Sequence, residues 1–162
     1  MKIYLGGAMF TKAEIEYNLK MAEKLRSCGF EVYCPNENTQ INDKLSADIT
    51  GELIFQLDME QMLSSNVYIC QISEDSGTMY ETGFMDCLNK HVDPSKYYGV
   101  IGLATDMRLK TAPDPRKSGV DNQAMYLNQF VIGGLKSSLG VYTDEDALLE
   151  ALKRVEKEHE GN

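Results

Sequence analysis

Short runs of β-branched and aromatic residues alternate along this chain with longer segments whose apolar residues recur at helical spacing. That alternation is the pattern of a parallel sheet covered by helices. Lys2 to Gly6 reads as a strand ended by the pair Gly6-Gly7. Thr11 to Cys28 follows as a helix, with Ile15, Leu19, Ala22 and Leu25 on one face and Gly29 as its stop. Phe30 to Cys34 is a second strand, closed by Pro35. A helix from about Asp48 to Ser64 puts Leu53, Ile54 and Leu57 on one face. Val67 to Ile72 is the third strand, Ser73 to Gly77 a loop, Thr78 to Asn89 the next helix, and Tyr98 to Leu103 the fourth strand.

Beyond it, Ala104 to about Asp121 is rich in Pro, Asp, Lys and Gly and reads as a long surface loop, a kind usually functional or mobile. Gln123 to Ile132 is a short helical stretch and Leu139 to Tyr142 a fifth strand. Thr143 is the expected cap of a last helix from Asp144 to about Glu158, with Ala147, Leu148, Ala151, Leu152 and Val155 facing the core. The expectation is one three-layer α/β domain over residues 1–162, with helices on both faces of a five-stranded, mostly parallel sheet. Such sheets bind ligands beyond the carboxyl ends of their strands. The Gly6-Gly7 turn and the segment holding Asp75 and Glu81 both fall on that edge.

Composition narrows the class of function. A chain of 162 residues, 43% apolar, builds a single core. No run reaches the roughly 20 apolar residues that span a bilayer, and the first residues lack the pattern of a signal peptide. Cys28, Cys34, Cys70 and Cys87 show no Cys-x-x-Cys spacing, which argues against a zinc site and for free thiols in the cytoplasm. A formal charge of −9, with no basic run among aromatics, disfavours nucleic acid and anionic membrane as partners.

The most informative stretch is Asp75-Ser-Gly-Thr78-Met-Tyr-Glu81-Thr-Gly83. Two readings of it stand side by side. Thr78-x-x-Glu81 is the pattern of a capping box, in which Glu81 satisfies the backbone of its own helix. Alternatively Glu81, kept ionised by the field of the first helical turn, is a nucleophile for an anomeric carbon. Asp58 shares a helical row with Ile54 and Met62, so it is either partnered in a site or at the wet margin of the apolar stripe. In Tyr4-Leu5-Gly6-Gly7-Ala8-Met9-Phe10 the pattern Gly-x-Gly-x-x-Gly is absent, so no dinucleotide fingerprint is present. Met9 and Phe10 either wall a flat ligand or pack under the first helix. His91 and His159 have no spaced partners and read as surface residues.

Taken together, the Tyr4–Phe10 run, Asp58, and Asp75 followed by Glu81-x-Gly83 resemble the nucleoside 2-deoxyribosyltransferases, over nearly the whole chain. The resemblance implies a flavodoxin-like (Rossmann-like) fold, no metal and no cofactor. It also implies ping-pong transfer of the sugar of a 2'-deoxynucleoside to a free purine or pyrimidine base, with slow hydrolysis on the side. By position, Glu81 resembles the nucleophile, Asp75 the acid/base, Asp58 its partner at the base edge and Tyr4 the hydroxyl that orients the nucleophile. Phe10 resembles the aromatic that stacks on the base, with Gly7 and Met9 beside it. The loop from Cys34-Pro35 to Gln40 is similar to a second base-contacting loop. Asn128 resembles an asparagine lent to a neighbouring subunit, which implies a homo-oligomer, dimer-based or hexameric. The apolar stretch Met125, Leu127, Phe130, Val131 and Ile132 is then either a subunit contact or the cover of its own sheet edge. The polar tail Glu158 to Asn162 departs from members that end in an aromatic residue.

Two other functions compete. One is a nucleoside or nucleotide N-glycoside hydrolase; the nucleotide form, which prefers a 5'-phosphate on its substrate, calls for a basic, Ser-rich loop after the first strand, and Gly7 to Phe10 has neither Arg, Lys nor Ser. A non-catalytic nucleotide-sensing module has no use for convergent carboxylates, although the fold alone accommodates it.

Overall fold

The computed structural model describes residues 1–43, 45–107, 119–121 and 128–160. The strands are β1 (Lys2–Gly6), β2 (Glu31–Tyr33), β3 (Val67–Gln71), β4 (Gly99–Leu103) and β5 (Val141–Tyr142). The helices are α1 (Lys12–Ser27), α2 (Thr39–Asn42), α3 (Gly51–Leu63), α4 (Ser76–Cys87), α5 (Gln129–Lys136) and α6 (Glu145–Glu160), with a π turn, Leu88–Val92, continuing α4. The sheet order is β2-β1-β3-β4-β5 and every pairing is parallel, which is the flavodoxin-like order.

Strand alternation sends successive side chains to opposite layers. Ile3, Leu5, Val67, Ile69, Ile101 and Leu103 pack with Met21, Ala22 and Leu25 of α1 and Leu148 and Leu152 of α6. Tyr4, Tyr68, Cys70 and Val100 face the other way, toward Met62 of α3, Met85 of α4 and Leu135 of α5. Among the described residues, no helix is long and apolar enough to cross a membrane.

Local chemistry sets the element ends. Thr11 and Glu14 form a full capping box on α1, and the chain leaves that helix through Gly29 at φ +96. β1 has its expected bounds, and the other four strands are shorter than the sequence suggests. β5 begins only at Val141, because Gly140 at φ +95 breaks the extended run and its N–H returns to the carbonyl of Leu135. The last helix is capped by Asp144, which accepts from the N–H of Ala147 at 2.9 Å, and not by Thr143. Of the helix expected over Gln123 to Ile132, the part from Gln129 belongs to α5, which runs on to Lys136, and the expected first part (123–127), with Met125 and Leu127, lies outside the described residues. Most of the Ala104 to Asp121 loop lies outside them too, as do the last residues of the tail.

Candidate active site

Each of the first three strands carries a tyrosine, and parallel pairing lines them up: Tyr4 lies opposite Tyr33 on β2 and opposite Tyr68 on β3. The rings form a row, with centroids 5.1 Å apart for Tyr4–Tyr33 and 5.3 Å for Tyr4–Tyr68. Their hydroxyls hold two carboxylates from two helices. Tyr4 donates to Glu81 Oε1 at 3.0 Å, and Tyr68 donates to Glu81 Oε2 at 2.7 Å. Tyr33 donates to Asp58 Oδ1 at 3.1 Å and accepts from Asn38 Nδ2 at 2.9 Å. Tyr68 reaches Glu81 by leaning over Gly6, where a Cβ would lie 1.8 Å from its hydroxyl oxygen. Gly6 is thus required by the phenol above it.

The position of Glu81 corrects two expectations. Helix α4 starts at Ser76 with Asp75 as its N-cap, so Glu81 lies in the second turn and Thr78 is not a cap. Asp75 Oδ1 accepts from the N–H of Gly77 at 3.3 Å, and Oδ2 accepts from Thr78 N–H at 2.8 Å and Thr78 Oγ1 at 2.6 Å. With those donors already satisfied, Glu81 is free to turn toward the sheet, and no capping box forms. Nor does the helix field keep it ionised at its ordinary value. Burial pushes the Glu81 carboxyl from 4.5 up to about 7; the phenols of Tyr68 and Tyr4 pull it down, and the charges of Asp58 and Asp75 add to the rise. Burial, with the Glu81 charge second, lifts the Tyr4 and Tyr68 hydroxyls far above the ordinary phenol value, so both remain donors. Burial likewise leads in raising Tyr33 to about 12.

The rim is built from loops. Phe10 is 75% exposed, and its backbone is anchored: the N–H groups of Phe10 and Thr11 both donate to Glu14 Oε2, at 3.0 and 2.8 Å. Phe10 and Asp75 line one cleft of about 360 Å³ with Ala8, Glu14, Ser73 and Glu74. Buried Asn18 donates to the carbonyl of Ala8 and to Asn36 Oδ1 and accepts from Gln71 Nε2. One side chain thereby ties together the ends of β1, β2 and β3. Gly7 and Met9 are half-buried, and a Cβ on Gly7 would lie 3.0 Å from the Gln71 side chain. Exposed Gln40 stands on α2, where its N–H donates to Asn38 Oδ1, on the same residue that holds Tyr33.

The structure therefore joins Glu81, Tyr4, Asp58, Asp75 and Phe10 at one sheet edge. Asn128 makes no bond to these residues: it is exposed and caps α5 through the N–H of Phe130 at 3.0 Å, and among the described residues it bonds only its own helix. Tyr33, Tyr68, Asn18 and Asn38 were not expected in the site. A tyrosine in each of three consecutive strands was the available signal.

The sequence model of the family Nucleoside 2-deoxyribosyltransferase matches residues 3–130. The chain is 30% identical over 161 residues to an uncharacterized protein of Ureaplasma parvum serovar 3, covering 94% of each. Among solved structures it is similar to a conserved protein of Enterococcus faecalis V583, with a TM-score of 0.74 and 31% identity over 94% of this chain and 97% of that one. The 2-deoxyribosyltransferase of Bacillus psychrosaccharolyticus shares the fold, with a TM-score of 0.63 and 18% identity over 92% and 90% of the two chains. So does the CMP N-glycosidase of Clostridium botulinum, with a TM-score of 0.52 and 16% identity over 94% and 98%.

The raised Glu81 carboxyl has a consequence for stability. Between 4.5 and about 7 the unfolded chain gives up a proton that the folded chain keeps, so folding weakens as pH rises through that window. Glu81→Gln has no proton to lose there. Its stability relative to the parent is expected to rise between pH 5 and pH 8, by on the order of 1–3 kcal/mol, in urea unfolding. A difference that does not change with pH would mean that Glu81 titrates as an ordinary carboxyl.

Proposed function

The chain belongs to the nucleoside 2-deoxyribosyltransferase family, and from that membership we propose that it moves the 2-deoxyribosyl group of 2'-deoxynucleosides between nucleobases through a covalent ester on Glu81. The observation that carries this reading is a half-buried carboxylate fixed at both oxygens by phenols, at the sheet edge that also holds Asp75 and Phe10. A carboxyl raised to about 7 is more basic than an ordinary glutamate, hence a stronger nucleophile, and still ionised in good part at neutral pH.

In the first half-reaction Glu81 attacks C1' while the bond from C1' to the base nitrogen breaks, and the departing base takes a proton from Asp75. In the second, the incoming base attacks C1', the ester bond breaks, the electron pair returns to Glu81, and Asp75 takes the proton of the incoming N–H. A carboxylate offers about four lone-pair sites. The cap of α4 takes one on Asp75 Oδ1 and two on Oδ2, so Oδ1 is the oxygen left to carry the proton. Asp58, oriented by Tyr33, meets the base edge, with Gln40 on the loop that holds Tyr33. Phe10 stacks on the base, flanked by Gly7 and Met9. The reading includes a role in nucleotide salvage in the cytoplasm, with slow hydrolysis when water replaces the acceptor.

Asn128 completes the site of a neighbouring subunit in a homo-oligomer, dimer-based or hexameric. Its exposure supports this, as does the adjacent Phe130 at 90% exposed.

Incubation with deoxyinosine and adenine is expected to give deoxyadenosine, followed by chromatography, and Glu81→Gln to abolish it while leaving the fold intact. Free hypoxanthine without a new nucleoside would instead indicate a hydrolase, and neither product a binding module. Asp75→Asn is expected to slow transfer by roughly 10²–10⁴-fold, with smaller losses for bases that leave easily without protonation. Equal losses for good and poor leaving bases would reduce Asp75 to a positioning role. The subunit assignment is read by mixing inactive Glu81→Ala and Asn128→Ala proteins under conditions of proven exchange. Activity above the mean of the two is the expected result; activity at the mean would place each site within one chain.

A further inference from the structure

We propose that Tyr68 is a positioning residue that sets the lifetime of the Glu81 sugar ester, by favouring the free carboxylate over the esterified one. The inference rests on the covalent reading above and adds a residue that the family resemblance did not supply.

Tyr68 is fully buried and does not reach the cleft, so it acts only through what it bonds. Its single hydroxyl proton has two acceptors within range: Glu81 Oε2 at 2.7 Å and the carbonyl oxygen of Thr78 at 3.4 Å. The Thr78 carbonyl already accepts from Thr82 Oγ1 at 2.7 Å and, within α4, from the backbone of the next turn, so it is the poorer acceptor of the two. While Glu81 is ionised, the short bond to Oε2 is charge-assisted, and such bonds are roughly twice as strong as neutral ones. Once C1' is bonded to Glu81 the negative charge is gone. The ester is a weaker acceptor, so the bond from Tyr68 to Glu81 loses its charge-assisted strength.

The bond is therefore strong before attack, weak in the ester, and strong again when the carboxylate departs. It slows ester formation and speeds ester breakdown, in which the acceptor base bonds C1', the C1'–O bond breaks, and its electron pair goes to Glu81. No proton leaves Tyr68 in either step; burial keeps its phenol protonated throughout. The space above Gly6 exists for this contact, since any side chain there meets the Tyr68 hydroxyl.

The test is rapid-quench intact-mass spectrometry of the full chain with deoxyinosine, followed by a chase with adenine. The parent is expected to carry one deoxyribosyl group on a fraction of molecules during turnover. In Tyr68→Phe that fraction should rise, the ester should decay about tenfold more slowly in the chase, and hypoxanthine should appear as a burst followed by a slow phase. Ester formation per ionised enzyme should be faster than in the parent, and the pH limb for it should move upward, because a bond that favours ionised Glu81 is lost. General loosening of the site would slow both half-reactions and would not give this opposed pair. Placing 3-fluorotyrosine at position 68 keeps the shape and strengthens the donor, so there the ester should decay faster than in the parent. This second measurement holds even if Tyr68→Phe does not fold. An ester that forms in the parent but decays at the same rate in both altered proteins overturns the role of Tyr68. No ester in a parent that turns over overturns the covalent reading itself, and the inference with it.

Discussion

Parallel pairing of β1 with β2 and β3 in one register is the constraint on which the rest of the edge depends. Because side chains alternate along a strand, a slip of one residue would send Tyr4 into the layer of α1 and α6. The register is held by both layers at once. Ile3 and Leu5 are buried on one side of β1 and Tyr4 on the other, so any shift exposes or buries the wrong set. With the register fixed, Tyr33, Tyr4 and Tyr68 fall into a row, and their hydroxyls arrive where α3 and α4 present Asp58 and Glu81.

The start of α4 then divides the labour between two carboxylates close in sequence. Asp75 sits at the cap, on the rim of a cleft, and meets backbone donors. Glu81 lies in the second turn, against the sheet, and meets phenols and low-dielectric surroundings. Environments that differ this much give two carboxyl groups different chemistry. Moving the cap to Thr78 would put Glu81 back on its own helix and collapse the distinction.

The strand and helix order, the core faces and the edge that gathers the candidate residues were legible from periodicity and from glycine and proline punctuation. Glu81, Asp58 and Asp75 were legible as chemistry-bearing residues, although the capping box remained an equal reading of Glu81 until its partners were visible. What hid the true cap was local: Asp, Ser and Thr all cap helices well, and Asp75, Ser76 and Thr78 stand within four positions. The same ambiguity made Thr143 look like the cap that Asp144 provides. Tyr33 and Tyr68 were missed because a buried tyrosine in a strand reads as core. Whether its hydroxyl meets a carboxylate depends on partners some thirteen to twenty-five positions away in the chain. The role of Gly6 was hidden for a related reason, since it answers to the ring of Tyr68 on the neighbouring strand and not to a turn.

The acidic character of the edge has its own logic under the proposed transfer. The charge of Asp58 raises the Glu81 carboxyl, so these two carboxylates repel one another in the resting protein. Positive charge brought among them relieves that repulsion. Cleavage of a glycosidic bond runs through an oxocarbenium-like state in which the sugar carries such charge. A neutral nucleoside in its ground state does not. The carboxylates therefore interact more favourably with the transition state than with the bound substrate, which is the only kind of interaction that accelerates the chemical step. Under the same proposal this field opposes an anionic ligand and is compatible with a neutral nucleoside.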